Sequence, residues 1–212
     1  MSFILNPAEI EKKSFEIISG KLDGRQFDPQ TVNVIKRVIH ATADFDYVDN
    51  LVFSDGAVAV EKDAIKNGAR IVTDTQMAKA GINKKAVDKF GCNLHCFIDN
   101  PEVAEIAQAK GITRALVAVD HAAETLENPI LFVIGNAPTA LIRLHELISS
   151  GAFSPVFIIA APVGFVNVVE SKELILRLNI PHIVAKGQKG GSNVAAAICN
   201  ALLFGTIEKS QV

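Results

Sequence analysis

The stretch LFVIGNAPTALIRLHELISSGAFSPVFIIA, residues 131–160, decides the fold of this chain. It begins with a continuously apolar run, Leu131–Ile134, and ends with a second one, Val156–Ala160. A helical segment lies between them and is followed by Gly151, a residue type that often ends a helix in the left-handed conformation. The order of strand, helix and strand predicts two parallel strands joined by a crossover helix.

The same alternation extends in both directions from this stretch. Most of the apolar runs are continuous, which is typical of strands that are covered on both faces. The predicted strands are Leu51–Phe53, Arg70–Thr73, Leu94–Ile98, Ala115–Val119, Leu131–Ile134, Val156–Ala160 and His182–Ala185. We therefore expect an α/β fold, a single-domain three-layer αβα arrangement over residues 1–212 with a mainly parallel sheet.

The composition argues against several classes of partner. The chain of 212 residues is 49% hydrophobic and has a formal net charge of −2. So small a charge provides no electrostatic footprint for nucleic acid or for an anionic membrane. No apolar run reaches the roughly 18 residues of a membrane span, and the 3 cysteines lack CxxC spacing. We expect a cytoplasmic protein with reduced thiols, no metal site and no nucleic-acid or membrane partner.

The segment DPQTVNVIKRVIHATADFDY, residues 28–47, is the predicted place of the chemistry. Asp28 is expected to cap a helix that starts at Pro29. The apolar residues of this helix recur with helical spacing and leave His40 outside the buried stripe. In a continuous helix, Lys36 and Asp44 would lie one turn before and after His40. Because histidine exchanges protons near neutral pH, His40 is a candidate acid or base, with a surface or capping role as the alternative.

The segments that follow the strands are the predicted ligand-binding regions, because ligands of doubly wound sheets bind beyond the carboxyl ends of the strands. The sharpest of them is KGQKGGSN, residues 186–193, which precedes a helix of small residues. Backbone N–H groups of Gly190, Gly191 and Ser192, the helix dipole and Lys189 are predicted to hold an anionic group there. The alternative is a flexible turn with solvated lysines. The segment has neither the Walker A order nor GxGxxG.

Four further residues are candidates for binding. Thr75 follows the second strand, and Asn136 follows the run at 131–134, where a capped helix start is an equal alternative. Arg114 precedes the apolar run at 115–119, and a guanidinium can hold a carboxylate through two hydrogen bonds. Ser14 lies in a helix that is predicted to start at Asn6, where a purely structural role is the alternative.

Six separated motifs together resemble one known family. They are SFEII at 14–18, RVIHATADFDY at 37–47, VTDTQMAKAGI at 72–82, GNAPTAL at 135–141, PVGFVNVVESKE at 162–173 and GQKGGSNVAAAICNAL at 187–202. In this order and spacing they are similar to the precorrin-8X methylmutase family, which includes the cobalt-precorrin-8 methylmutases. The resemblance covers nearly the whole chain.

The resemblance implies an isomerase of corrin-ring (cobalamin) synthesis. Such an enzyme moves a methyl group from C-11 to C-12 of a tetrapyrrole substrate by a 1,5-sigmatropic shift, and the corrinoid product is hydrogenobyrinate or cobyrinate. The resemblance also implies that no methyl donor or other cofactor is needed, and that the protein is a homodimer with active sites near the dimer interface. It makes His40 the catalytic acid and places Ser14 against the substrate.

The carboxylate arms of such a substrate require hydrogen-bond donors. We expect Lys189 with its glycine loop, Arg37 and Arg114 to supply them. The sequence leaves open whether the ring contains cobalt. Two other functions also remain open. One is a carrier that binds the corrinoid product without proton transfer, and the other is a nucleotide-dependent oxidoreductase, against which the absence of GxGxxG counts.

Overall fold

The computed structural model describes residues 3–208, with side chains for residues 3–206. The helices are α1 (Pro7–Lys21), α2 (Val32–Thr42), α3 (Tyr47–Asn50), α4 (Ala57–Lys66), α5 (Gln76–Gly81), α6 (Lys84–Lys89), α7 (Pro101–Lys110), α8 (Arg114–Thr125), α9 (Pro138–Ser149), α10 (Val168–Leu176) and α11 (Ser192–Glu208). The strands are β1 (Leu51–Phe53), β2 (Arg70–Thr73), β3 (Asn93–His95), β4 (Ile130–Ile134), β5 (Phe157–Ala160) and β6 (His182–Ala185).

These strands form one sheet in the order β1-β6-β5-β4-β2-β3. The edge strand β1 pairs antiparallel with β6, and the other neighbours are parallel. The stretch at 131–160 forms the expected unit, because β4 and β5 pair in parallel with Leu131 opposite Phe157. The predicted mainly parallel sheet is thereby confirmed.

Helices cover both faces of the sheet, and β4 shows why its sequence is continuously apolar. Leu131 and Val133 pack into one core with apolar residues of α2, α4 and α11. Ile130, Phe132 and Ile134 point the other way and pack with apolar residues of α8, α9 and α10. Since successive strand residues face opposite sides, a strand buried on both sides has no polar face. The three-layer prediction is confirmed.

Small residues allow α11 to approach its neighbours closely. A Cβ atom added to Gly81, at the end of α5, would lie 3.0 Å from the Cβ of Ala196. A Cβ atom added to Gly135, just after β4, would lie 2.7 Å from the Cα of Ser192. The N-terminus of α11 is therefore held directly at the carboxyl end of β4, where ligands of such sheets bind.

One predicted strand is wrong. Ala115–Val119 lies inside α8, which Thr113 caps by accepting a hydrogen bond from the N–H of Leu116 at 3.3 Å. Ala115 and Val119 pack towards the sheet, whereas Val117 and Ala118 pack against α7. A helix covered on two sides shows a continuous apolar run, which periodicity does not distinguish from a buried strand. The strand predicted at Leu94–Ile98 also differs, because β3 comprises Asn93–His95.

The helix that carries His40 starts and ends differently from the prediction. Asp28 does not cap it. Its carboxylate instead accepts the N–H of Gln30 at 2.7 Å, in a turn that precedes α2. At the other end, Ala43 adopts a left-handed conformation (φ 55°), which stops α2 at Thr42. Asp44 therefore does not follow His40 on a continuing helix.

None of the helices within residues 3–208 is both long and apolar enough to cross a membrane. Cys92, Cys96 and Cys199 are free thiols, as expected.

Glu61 is a buried acid in α4. It is 0% exposed, and neither carboxyl oxygen has a hydrogen-bond partner among the residues that the structure describes. Burial raises the pKa of this carboxyl well above its usual value, against a smaller opposing effect of Lys62. The folded chain therefore takes up a proton at Glu61 that the unfolded chain releases above about pH 4.3.

Replacing Glu61 with glutamine is expected to raise the free energy of unfolding by about 1–3 kcal/mol at pH 8. The pKa of Glu61 is higher in the folded chain than in the unfolded chain. The wild type therefore has its full stability below the pKa of the unfolded chain and loses stability as the pH rises through the pKa of the folded chain. The advantage of the variant should therefore shrink by up to about 1.4 kcal/mol per pH unit towards pH 5. Urea unfolding at several pH values measures it, with exposed Glu124→Gln in α8 as the control. A difference that does not vary with pH would contradict the prediction.

Candidate active site

His40 lies near the end of α2, exposed between two cavities. The first cavity is about 310 Å³ in volume, and Ser14 lies on its other side. The second is about 370 Å³, and Arg37 lines it together with His40. The imidazole also packs against the ring of Phe15, with 5.1 Å between centroids. The fold thus brings Ser14 and Arg37 into two cavities that His40 also lines.

The guanidinium of Arg37 is held in place before any ligand arrives. Its Nη1 donates to Oε1 of Glu11 at 2.8 Å. Its central carbon lies 4.9 Å from the ring centroid of Phe15 and 5.4 Å from that of Phe204. The side chain is still 31% exposed, so donors remain accessible from the cavity. A group fixed in this way loses little freedom on binding a carboxylate.

Lys189 connects the glycine loop to the turn that follows His40. Its Nζ lies 2.6 Å from a carboxylate oxygen of Asp44 and 2.6 Å from one of Asp46. The hydrogen bond from Lys189 lowers the pKa of Asp44, helped by the backbone N–H of Asp46 and opposed by burial. The predicted anion-holding cation is thus paired within the chain, and it ties two distant parts of the site together.

Thr75 and Ser192 meet at the carboxyl edge of the sheet. Their hydroxyl oxygens are 2.8 Å apart, and Thr75 also accepts the N–H of Ala78 as the cap of α5. This contact joins the start of α5 to the start of α11. Asn193, the next residue of α11, lines the larger cavity together with His40. Thr75 and Ser192 are therefore linked to the surroundings of His40 through the first turn of α11.

Two glycines of the loop lie where a side chain would not fit. A Cβ atom on Gly190 would collide with the carbonyl oxygens of Ala161 and Pro162. Gly191 has a φ of 130°, and its N–H donates to Ala161 at 2.8 Å. Only glycine allows this close approach and this backbone conformation. The loop is consequently packed against the segment after β5.

Asp74 organises the turn that carries Asn136, and it was not identified from the sequence. Its side chain is 5% exposed and accepts the N–H groups of Gly135, Asn136 and Ala137 at 2.9, 2.7 and 2.7 Å. Burial raises the pKa of Asp74, and these N–H groups partly oppose that effect. The side chain of Asn136 remains exposed at the strand end. The position of Asp74 directly after β2 was the only sequence signal.

Arg114 is not brought to His40. It is the exposed first residue of α8 and lines neither of the two cavities beside His40. The hydroxyls of Thr113 and Thr139 lie 2.7 Å apart, which places the start of α8 beside the start of α9. Arg114 therefore lies towards the turn of Asn136, on the opposite face of the sheet from α2.

Lys172 is a second residue that sequence reasoning missed. It belongs to the motif at 162–173, but nothing in the sequence indicates that it is buried. The side chain is 1% exposed, and its Nζ donates to the carbonyl oxygens of Gly187 and Lys189 at 2.7 and 2.8 Å. Burial lowers the pKa of Lys172 to about 8. The ammonium group of Lys172 therefore contacts the inner, buried side of the glycine loop.

The fold and the site define an α/β enzyme with an open parallel sheet, donor groups at the carboxyl ends of its strands and one accessible histidine between two cavities. The family model described as Precorrin-8X methylmutase matches residues 9–204. This chain belongs to the precorrin-8X methylmutase family, a family of isomerases in cobalamin biosynthesis. The oxidoreductase alternative is thereby removed.

Individual relatives agree with this assignment. The chain is 47% identical to the cobalt-precorrin-8 methylmutase of Salmonella typhimurium, over 96% of this chain and 98% of the relative. It is 36% identical to the precorrin-8X methylmutase of Pseudomonas aeruginosa, over 95% and 97% of the two chains. The crystal structure of precorrin-8X methyl mutase from Thermus thermophilus superposes with a TM-score of 0.88 at 39% identity, covering 95% of this chain and 97% of that one.

Proposed function

We propose that this chain moves a methyl group from C-11 to C-12 of cobalt-precorrin-8, with His40 as the acid. The observation that carries the proposal is the position of His40 between two cavities, with Ser14 on one side and Arg37 on the other. The cobalt form is favoured because relatives that are 47% and 42% identical are named cobalt-precorrin-8 methylmutases.

The reaction requires only a proton donor and a fixed orientation of the substrate from the protein. A protonated His40 gives its proton to the conjugated ring, which draws electron density from the system and eases the migration. The bond from the methyl carbon to C-11 breaks as its bond to C-12 forms. Substrate and product are isomers, so the proton returns to His40 and no methyl donor takes part.

The donors around the two cavities and at the strand ends hold the carboxylate arms. Ser14 and Arg37 lie closest to the ring over His40. The hydroxyl of Ser14 donates to the carbonyl of Ile10 at 2.9 Å in the structure and exchanges that hydrogen bond for one to an arm. The N–H of Gly190 and the hydroxyl pair of Thr75 and Ser192 form a second set of donors, whereas the N–H of Gly191 is already taken by the carbonyl of Ala161. Asn136 and Arg114 serve arms that extend further along the carboxyl edge. Because these contacts are the same before and during the shift, they support binding more than turnover.

Absorption spectra recorded after incubation with the cobalt and the metal-free substrate test this proposal. We expect both to convert to the corrinoid, with the larger kcat/KM for the cobalt form. Equal kcat/KM values would overturn the preference for cobalt. Conversion of neither substrate would overturn the function itself.

Replacing Lys189 with alanine is expected to raise KM about tenfold and to leave kcat within about threefold. The reason is that the variant loses a cation of the glycine loop and its ties to Asp44 and Asp46, whereas His40 is unchanged. Steady-state kinetics measure both constants, and Lys186→Ala, an exposed lysine of the same loop, is the matched control. A fall in kcat as large as the rise in KM would show that Lys189 acts by positioning His40. An unchanged KM would show that the ammonium group of Lys189 holds no carboxylate.

We further propose that the chain acts as a homodimer in the cytoplasm. The proposal of a dimer is supported by large apolar side chains near the carboxyl edge, Phe165, Val166 and Met77, which are 85%, 75% and 72% exposed. Apolar surface of this kind is often covered by a partner. Light scattering should give twice the chain mass of 22.7 kDa, and the monomer mass would contradict the proposal.

A further inference from the structure

Lys172 is a buried ammonium group without a carboxylate partner among the residues that the structure describes. An ammonium group that leaves water must be compensated by hydrogen bonds. Here the compensation comes from two backbone carbonyls of the glycine loop, those of Gly187 and Lys189. A charged donor makes stronger hydrogen bonds than a neutral one, so this contact holds both peptide groups firmly.

The orientation of these carbonyls also sets the direction of two N–H groups. A trans peptide unit is planar, and its C=O and N–H bonds point in opposite directions. Because the carbonyls of Gly187 and Lys189 point inward at Lys172, the N–H groups of Gln188 and Gly190 point away from it. Neither N–H group has an acceptor within the described part of the chain. Two unpaired donors are thus turned outward beside the first turn of α11.

Hydrogen bonds to a neighbouring segment also hold the rest of the loop, and they keep these N–H groups in the same orientation. The carbonyl of Gln188 accepts the N–H of Gly164 at 3.2 Å, and the N–H of Gly191 donates to Ala161 at 2.8 Å. Both contacts tie the loop to the segment after β5. Successive outward N–H groups next to a helix N-terminus favour a negatively charged oxygen.

We propose that Lys172 is a positioning residue for substrate binding, which turns the N–H groups of Gln188 and Gly190 towards a carboxylate arm of the tetrapyrrole. The inference rests on the proposed function, because that substrate supplies the carboxylate. Lys172 itself touches no substrate. Lys172 acts through the two carbonyls, so its replacement should affect substrate binding and not the proton transfer at His40.

The test compares Lys172→Met with Lys110→Met, a matched change at the C-terminal end of α7, where the lysine is exposed. The Kd of the metal-free product, hydrogenobyrinate, is measured by absorption titration, together with KM and kcat for the substrate. In Lys172→Met we expect Kd and KM to rise about tenfold and kcat to stay within about threefold. Lys110→Met should stay within about twofold in all three. A folded Lys172→Met protein with a lowered Tm but an unchanged Kd would show a merely structural role and overturn the proposal.

Amide NMR of the ¹⁵N-labelled protein provides a second measurement, and its wild-type part does not depend on whether the variant folds. On addition of hydrogenobyrinate, the amide proton signals of Gln188 and Gly190 should move downfield, and this shift should be lost in Lys172→Met. Unmoved wild-type signals would overturn the proposal. A wild type that neither converts substrate nor binds product would overturn the proposed function as well. Normal wild-type conversion with an unchanged Kd in Lys172→Met would overturn only the role of Lys172.

Discussion

Replacing His40 with alanine is expected to lower kcat by about 10²–10⁴-fold, the usual effect of removing a positioned proton donor. Binding of the corrinoid product should stay within about threefold, because Ser14, Arg37 and the glycine loop remain in place. His40 makes its contribution only as the ring accepts the proton, so its loss should appear in kcat and not in Kd. Single-turnover absorption kinetics and a product titration measure the two effects separately.

His145→Ala is the matched control for this experiment. His145 lies in α9 on the opposite face of the sheet, where its ring approaches the hydroxyl of Ser149 at 3.4 Å. Its replacement should leave kcat unchanged. Lost conversion with retained binding in His40→Ala would exclude the carrier alternative. Normal conversion by His40→Ala would refute the catalytic assignment.

Asp74→Ala is expected to lower the free energy of unfolding by about 3–5 kcal/mol. The variant removes the acceptor of three backbone N–H groups at the start of α9 and leaves a buried space in its place. Each N–H group left unpaired in the protein interior costs about 1–3 kcal/mol, and water reaches part of this turn through exposed Asn136. The turn should also shift and weaken substrate binding.

Urea unfolding of wild type, Asp74→Ala and Asp99→Ala measures this effect. Asp99 is an exposed aspartate between β3 and α7, so its replacement should change the unfolding free energy by less than about 0.5 kcal/mol. A loss below about 1 kcal/mol in Asp74→Ala would mean that the three N–H groups find other acceptors. In that case the turn is organised by the packing of Gly135 against Ser192 alone.

Much of the fold could be predicted from the sequence, because buried parallel strands have a characteristic local pattern. β4 and β5 are apolar at every position, and both were expected at nearly the observed bounds. The pattern failed at Ala115–Val119, where a helix packed on two sides has the same composition as a strand. Deciding between them requires the capping contact of Thr113 and the packing of α7, which are properties of the folded chain.

The site could be predicted less completely, and the reason differs from residue to residue. His40 stood out because local spacing alone left it off the apolar stripe of its helix. Asp74 and Lys172 did not stand out in the sequence, because their roles depend on backbone groups of residues that lie far away along the chain. Arg114 was predicted to hold a carboxylate arm on the strength of its charge, and its position on α8 separates it from the cavities beside His40.

The sequence by itself determined the short-range features of this protein, namely most of the strands, most helices and the exposure of His40. These depend on side-chain periodicity within one segment. Only the tertiary structure decided which segments meet. Thr75 reaches Ser192 across 117 positions of sequence, and Lys189 reaches Asp44 across 145. Such contacts follow from the order of the strands and the packing of α11. Both depend on the whole folded chain, so no single segment encodes them.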